Sequence, residues 1–224
     1  MEETQPDNRR RVILDAALRL ADEKGLDAVS MRAVAQRAGL TAMALYPYVG
    51  SKAELLDGMM GRLVSEVMGA EPGPGAGPGE DVRLDWQERL YLLARGGRRL
   101  FRDHPWAAAL IFSRPAATPE SARASDEVYG ALLDAGVPES EVPRLERMLT
   151  TMVIGYAASE AGGRFGSGGI ERGRRGGLTT AVREGSLPAH AALSRWLQQP
   201  VDWDAEFEAD LRDIMRFVQT VAAG

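Results

Sequence analysis

Apolar residues recur along this chain at steps of three and four, the spacing of one helix face. Between Arg11 and Lys24 they are Val12, Ile13, Ala16, Ala17, Leu20 and Ala21, and Gly25 supplies the stop. Ser30 is placed to cap a short helix, Met31 to Ala38, with Met31, Val34, Ala35 and Ala38 turned inward and Gly39 at its end. Thr41 is placed to cap a second short helix carrying Met43, Ala44 and Leu45, which runs into Pro47 between two tyrosines. Ser51 and Glu54 make an S-x-x-E capping pattern that opens a longer helix through Leu55, Leu56, Met59, Leu63, Val64 and Val67.

The pattern then breaks. Residues 71–81 are mostly glycine and proline and read as a mobile linker. Helical spacing returns from Val82 to about Arg102, from Trp106 to Phe112, from a Thr118-Pro119-Glu120 start to a Gly136 stop, and from Glu141 to Ala161. Residues 162–177 hold eight glycines and four arginines and read as disordered; helices resume near Leu187 and from Trp203 to Ala222. No alternating run reads as a strand, so the expected class is all-α, with a head over residues 8–70, a linker over 71–81 and a helical body over 82–224.

Composition narrows the function. The chain has 224 residues, 45% apolar and 26% charged, which is ordinary for a globular protein. It has no cysteine, which excludes disulfides and thiolate chemistry and fits a cytoplasmic setting. No apolar run is long enough to span a membrane, and no secretory signal is visible at the N-terminus. The net charge of −5 is uneven: Asn8 to Lys52 carries eight bases against four acids, leaving −9 for the rest. A basic head on an acidic body suits nucleic-acid binding by the head.

Two short helices joined by a glycine turn, Ser30–Ala38 and Thr41–Tyr48, have the form of a helix-turn-helix. The major groove, about 12 Å wide, admits one helix, and a short second helix enters it while the first crosses the backbone. Any compact helical head also has glycine turns and capping serines, so the pattern alone leaves DNA binding and plain packing both open. The run ILDAALRLADEKGLDAVSMRAVAQRAGLTAMALYPYVGSKAELLDGM adds order and spacing. It resembles the tetracycline-repressor (TetR) family: a first helix ending in glycine, a capped second helix, A-x-x-x-G-[VL], then L-Y-x-[HY]-[FV]-x-[SN]-K.

The resemblance implies roles. Thr41, Ala42, Met43 and Ala44 occupy the base-reading positions. Tyr46 matches a tyrosine that packs under the recognition helix and reaches a phosphate, with Pro47 facing the DNA backbone beside it. Tyr48 stands where histidine is common, and Lys52 matches a phosphate-contacting lysine. Ser30 and Arg32 open the second helix, where backbone contacts are expected. Arg9, Arg10 and Arg11 read either as a basic arm or as a frayed terminus. The reading positions hold no Arg, Asn or Gln, so specificity is expected to lean on thymine methyls, on Arg32 or Tyr48, and on DNA shape.

One such head makes too few contacts to be specific, so a homodimer on a palindromic double-stranded operator is expected. Heptad-like stripes at Phe207, Leu211, Ile214 and Val218, and at Leu149 and Val153, serve equally as a dimer seam or as core. The resemblance also implies a small-molecule effector pocket in the body. Its wall candidates are Trp86, Phe101, Trp106, Phe112, Met148, Met152 and Tyr156, with Arg98 and Glu160 as polar anchors; the bland alternative is ordinary core. Asp103-His104 precedes Pro105 as a helix boundary does, so no catalytic residue, metal or cofactor is expected and an enzyme is disfavoured. The expected function is a DNA-binding transcriptional regulator: a repressor released by a largely apolar ligand, or a ligand-independent or activating regulator.

Overall fold

The computed structural model describes residues 5–69, 84–113, 118–161, 187–197 and 199–224. The expected linker and Gly/Arg tract, 71–81 and 162–177, lie outside them. Ten helices are described, with no strand among these residues: α1 Gln5–Lys24, α2 Met31–Arg37, α3 Tyr46–Val49, α4 Lys52–Gly69, α5 Trp86–Asp103, α6 Pro105–Ser113, α7 Pro119–Asp134, α8 Val142–Ala161, α9 Pro188–Leu197 and α10 Trp203–Ala223. No described helix is long and apolar enough to cross a membrane, and no cluster of three His, Asp or Glu suited to a metal occurs among the described residues.

Local chemistry sets the helix ends. Ser30 and Thr118 accept from backbone N–H groups three residues on, at 3.2 and 3.1 Å, and Pro119 sits in the first turn of α7, where its missing N–H costs nothing. Asp85 and Glu88 complete a reciprocal capping box at the start of α5. At Ser51 only half of the expected box forms: its hydroxyl takes the Glu54 N–H at 3.1 Å and donates to the Glu54 carboxylate at 3.2 Å. Arg9, Arg10 and Arg11 belong to α1, so they are neither an extended arm nor a frayed end here.

Two hydrophobic cores result. The first joins Ile13, Leu14 and Ala17 of α1, Val34 of α2, Leu45 and Val49, and Leu55, Met59 and Leu63 of α4. It continues without a break into Leu100, Phe101, Ala107 and Leu110 of α5 and α6. The second packs α5, α7, α8 and α10 through Leu90, Leu132, Leu145, Leu149, Phe207 and Leu211. Each such side chain contributes about 1.5–3 kcal/mol when fully buried.

The stripes expected as a dimer seam are spent in this second core. Leu149, Val153, Phe207, Leu211 and Val218 are buried within one chain and Ile214 packs partly against them. Of the two uses the spacing leaves open, the single chain shows the core one: a heptad spacing says that a helix covers the stripe, not whose helix it is. Helix α9, by contrast, exposes Leu193 and Trp196.

A charged bolt closes the second core. Arg98 is only 6% exposed. Its guanidinium pairs with Glu160 of α8 and with Asp204 of α10 at 2.9 Å, and lies over the Phe207 ring at 4.5 Å. Arg102 reaches the same two carboxylates at 3.1 and 2.6 Å. The expected polar anchors of a ligand therefore anchor each other. Removing one partner of such a pair strands the others, so Arg98→Leu is expected to lower stability by about 3 kcal/mol. For a domain of this size that is roughly 6–12 °C in Tm by calorimetry.

Nearby, Arg95 donates to Glu208 at 2.8 and 2.6 Å and holds its carboxyl below the ordinary value of 4.5. A depressed folded-state pKa means that the contribution is complete above the unfolded value and disappears as pH falls through the folded one. The stability gap between the wild type and Glu208→Gln is thus expected to be constant above the ordinary carboxylate range and to close as the pH falls below it in thermal scans.

Candidate DNA interface and effector cavity

The recognition segment is built around a conflict between Pro47 and helix continuity. A single α-helix from Ala42 would require an N–H at residue 47, which proline lacks. The chain instead winds Ala42–Leu45 as a 3-10 turn, with the Ala44 N–H on the Thr41 carbonyl at 3.0 Å, and begins an α-turn at Tyr46 with Pro47 in its first turn. Thr41 caps it, its hydroxyl accepting from the Ala44 N–H at 3.3 Å. Before it, α2 closes through Gly39 at φ +68°, with Leu40 N–H on Ala35 O at 2.8 Å and Gly39 N–H on Gln36 O at 3.3 Å. That paired closure needs a left-handed residue, which only glycine supplies without strain. Gly50, at φ +50°, turns the chain from α3 toward α4.

This winding sorts the side chains. Leu45 and Val49, four apart, are fully buried beneath the segment. Met43 is 77% exposed and Tyr46 is 46% exposed on the opposite side. Thr41, Pro47, Ser30, Arg32 and Lys52 are exposed too, while Ala42, Ala44 and Tyr48 are partly buried, with Ala42 and Tyr48 against the first core. The packing role expected of Tyr46 thus falls to Tyr48, and Tyr46 faces out. Arg37, the third base of this region, is occupied: it clamps α2 to α1 by a two-pronged pair with Glu23 and holds that carboxyl below its ordinary value. The bases left outward beside the reading residues are Arg32 and Lys52.

A large exposed methionine over a buried leucine serves packing poorly and contact with a groove well. Met43→Ala is therefore expected to leave the unfolding free energy within about 0.5 kcal/mol of wild type. It is expected to weaken binding to the preferred DNA sequence about five- to tenfold in anisotropy titrations, while binding to unrelated DNA is unchanged. Lys52→Ala is expected to weaken every sequence alike and to flatten the salt slope by about one.

The head meets the body at a polar joint. Asp22 of α1 accepts from Trp106 Nε1 at 2.7 Å and lies 2.7 Å from His104 Nδ1. Trp106 therefore ties head to body, and His104 makes a boundary contact of the same kind.

Behind the joint, α4, α5, α6, α7 and α8 line a half-open cavity of about 230 Å³. Of the seven expected wall residues, Phe101 lines it. Trp86, Met148, Met152 and Tyr156 pack against the second core instead. Trp106 is at the joint, and the side chain of Phe112 lies outside the described set. Tyr156 donates to Asp210, and burial first, then that bond, pushes its phenol well above the ordinary value. Four wall residues come from α4, a helix whose pattern belonged to the head: Met60, Val64, Val67 and Met68. The overlooked signal is that α4 is apolar on two faces, so it must be covered on two sides.

Residues 13–59 match the family described as bacterial regulatory proteins, tetR family, and residues 78–221 match the tetracyclin repressor-like C-terminal domain. An HTH-type transcriptional regulator of Saccharopolyspora erythraea is 31% identical over 206 residues, covering 92% of this chain and 82% of that one. The HTH-type transcriptional repressor DrrR1 of Streptomyces coeruleorubidus is 32% identical over 169 residues, 75% of this chain and 57% of DrrR1. The structure is similar to that of the Streptomyces coelicolor TetR family protein ActR in complex with (S)-DNPA: TM-score 0.73, 26% identity, 95% of this chain and 98% of ActR.

Proposed function

The chain belongs to the TetR family of bacterial transcriptional regulators, and from that premise we propose that it is a cytoplasmic homodimeric repressor that leaves its operator when a small, largely apolar molecule fills the cavity. One observation carries this reading: α4 is wall to both sites. Its Leu55, Met59 and Leu63 sit in the core beneath the recognition segment, and its Met60, Val64 and Val67 line the cavity. A ligand that prefers one position of α4 thereby prefers one position of the head. The expected coupling is about 1–3 kcal/mol, a 5- to 150-fold change in DNA affinity. The ActR complex with (S)-DNPA supports a small-molecule effector, and the names of the relatives support repression. The domain division, head through α4 and body from α5 on, follows the same logic, although the two share one core.

A palindrome is read by two heads about 34–36 Å apart. With the inner stripes of α8 and α10 buried, the seam falls on their outer faces. There α8 exposes Thr151 and Gly155, and Arg144 lies over the exposed Phe217 of α10 at 5.4 Å. A Cβ at Gly155 meets nothing within 4 Å in its own chain. Gly155→Arg is therefore expected to yield a folded monomer by light scattering and circular dichroism, and to lose specific operator binding. A dimer that survives this change would place the seam elsewhere. Selection of DNA sequences by the purified protein tests the function itself: a twofold-symmetric consensus is expected, with steep salt dependence. Sequence-indifferent binding would defeat the regulator reading.

A further inference from the structure

The cavity has a polarity that its apolar average conceals. Every wall residue from α4, α5 and α6 is apolar. The polar lining comes from α7 and α8 alone: Ser121, Ser125, Glu146 and Thr150. Ser121 is already engaged, its hydroxyl 3.0 Å from that of Thr118. Among the described residues Glu146 is the single ionisable group in the lining, and no described arginine, lysine or histidine accompanies it. Thr150, one turn on, donates to Glu146 Oε1 at 2.9 Å and so fixes the carboxylate.

A carboxylate at a mostly apolar wall calls for a cation. The nearby arginines are committed elsewhere: Arg144 pairs with Glu141 at 2.6 Å and Arg123 with Glu120 at 3.2 Å. Arg147 is exposed, and no ion pair to Glu146 is made among the described residues. An anionic ligand would meet Glu146 with no countercharge, at a cost that grows as water is excluded. A neutral ligand would leave the carboxylate facing apolar surface. A protonated amine satisfies it by a charge-assisted hydrogen bond, the stronger class of such bonds.

We infer that the effector is a lipophilic amine, its apolar body against α4, α5 and α6 and its ammonium on Glu146, with Ser125 and Thr150 as the flanking hydroxyls. This rests on the cavity being the effector site. It also gives the site a means of discrimination: an apolar cavity sorts ligands weakly by size, whereas one fixed, half-buried charge in its wall disfavours the wrong sign.

Three probes with one apolar body separate the possibilities: 4-phenylbutylamine, 4-phenylbutan-1-ol and 5-phenylpentanoate, each titrated into the full chain by calorimetry. The amine is expected to bind about tenfold tighter than the alcohol, and the acid more weakly than either. In Glu146→Gln the amine is expected to fall to the level of the alcohol, with alcohol binding itself unchanged. In Thr150→Val, which frees the carboxylate without removing it, the amine preference is expected to shrink but persist. Ser125→Trp fills the cavity and is expected to abolish binding of all three, with circular dichroism verifying the fold of each variant. If the acid binds as well as the amine, or the preference survives Glu146→Gln, the inference is overturned; loss of binding in Ser125→Trp then still upholds the cavity as the site. If no probe binds, or Ser125→Trp changes nothing, the cavity reading falls with it.

Discussion

Helix α4 has two neighbours to satisfy with one set of side chains. Leu55, Met59 and Leu63 fill the space under the recognition segment, while Met60, Val64 and Val67 face a cavity in the body. Its glycines tighten the arrangement. A Cβ at Gly58 would stand 2.8 Å from Leu14 of α1, and one at Gly61 would stand 2.7 Å from a carboxylate oxygen of Glu120 on α7. Close-packed interiors do not deform smoothly. A helix pressed from both sides by backbone-close contacts therefore has few ways to yield to a ligand except as a rigid unit, and whatever it does is felt under Leu45 and Val49.

The rest of the body is built to stay still. Arg98, Arg102, Glu160 and Asp204 bolt α5, α8 and α10 together, and the Asp22–Trp106 bond fixes where the head leans on α6. Rigid surroundings are what turn occupancy of a cavity into displacement of one element. They also explain why the strongest charged groups of the body are absent from the cavity wall: they hold one another, and Glu146 is left with a hydroxyl for company.

Periodicity and caps made most helices legible, because Ser30, Thr41, Ser51, Thr118, Gly25, Gly39 and Gly136 mark ends by mechanisms that act locally. The reading head was legible for the same reason. What failed to show was the allocation of apolar faces among neighbours. Phe207 and Leu211 have the spacing of a dimer seam and the burial of a core. Trp86, Met148 and Tyr156 have the character of pocket walls and lie on the side of the second core. Which of two covering helices takes a stripe depends on tertiary contacts that no window of sequence contains. Likewise Tyr48, not Tyr46, packs against the first core, because Pro47 breaks the helix into a 3-10 turn and an α-turn and so shifts the angular register between them.

The unbroken first core has a consequence for how the molecule comes apart. Side chains from α1 and α2 share it with Leu100, Phe101, Ala107 and Leu110. A head cut away after α4 would bare the apolar surface that α5 and α6 now cover, and the body would be left with a matching wound. Two sequence regions with separate tasks thus form one cooperative folding unit. Denaturant should dissolve them in a single transition rather than in turn, and neither task can be carried by its own fragment.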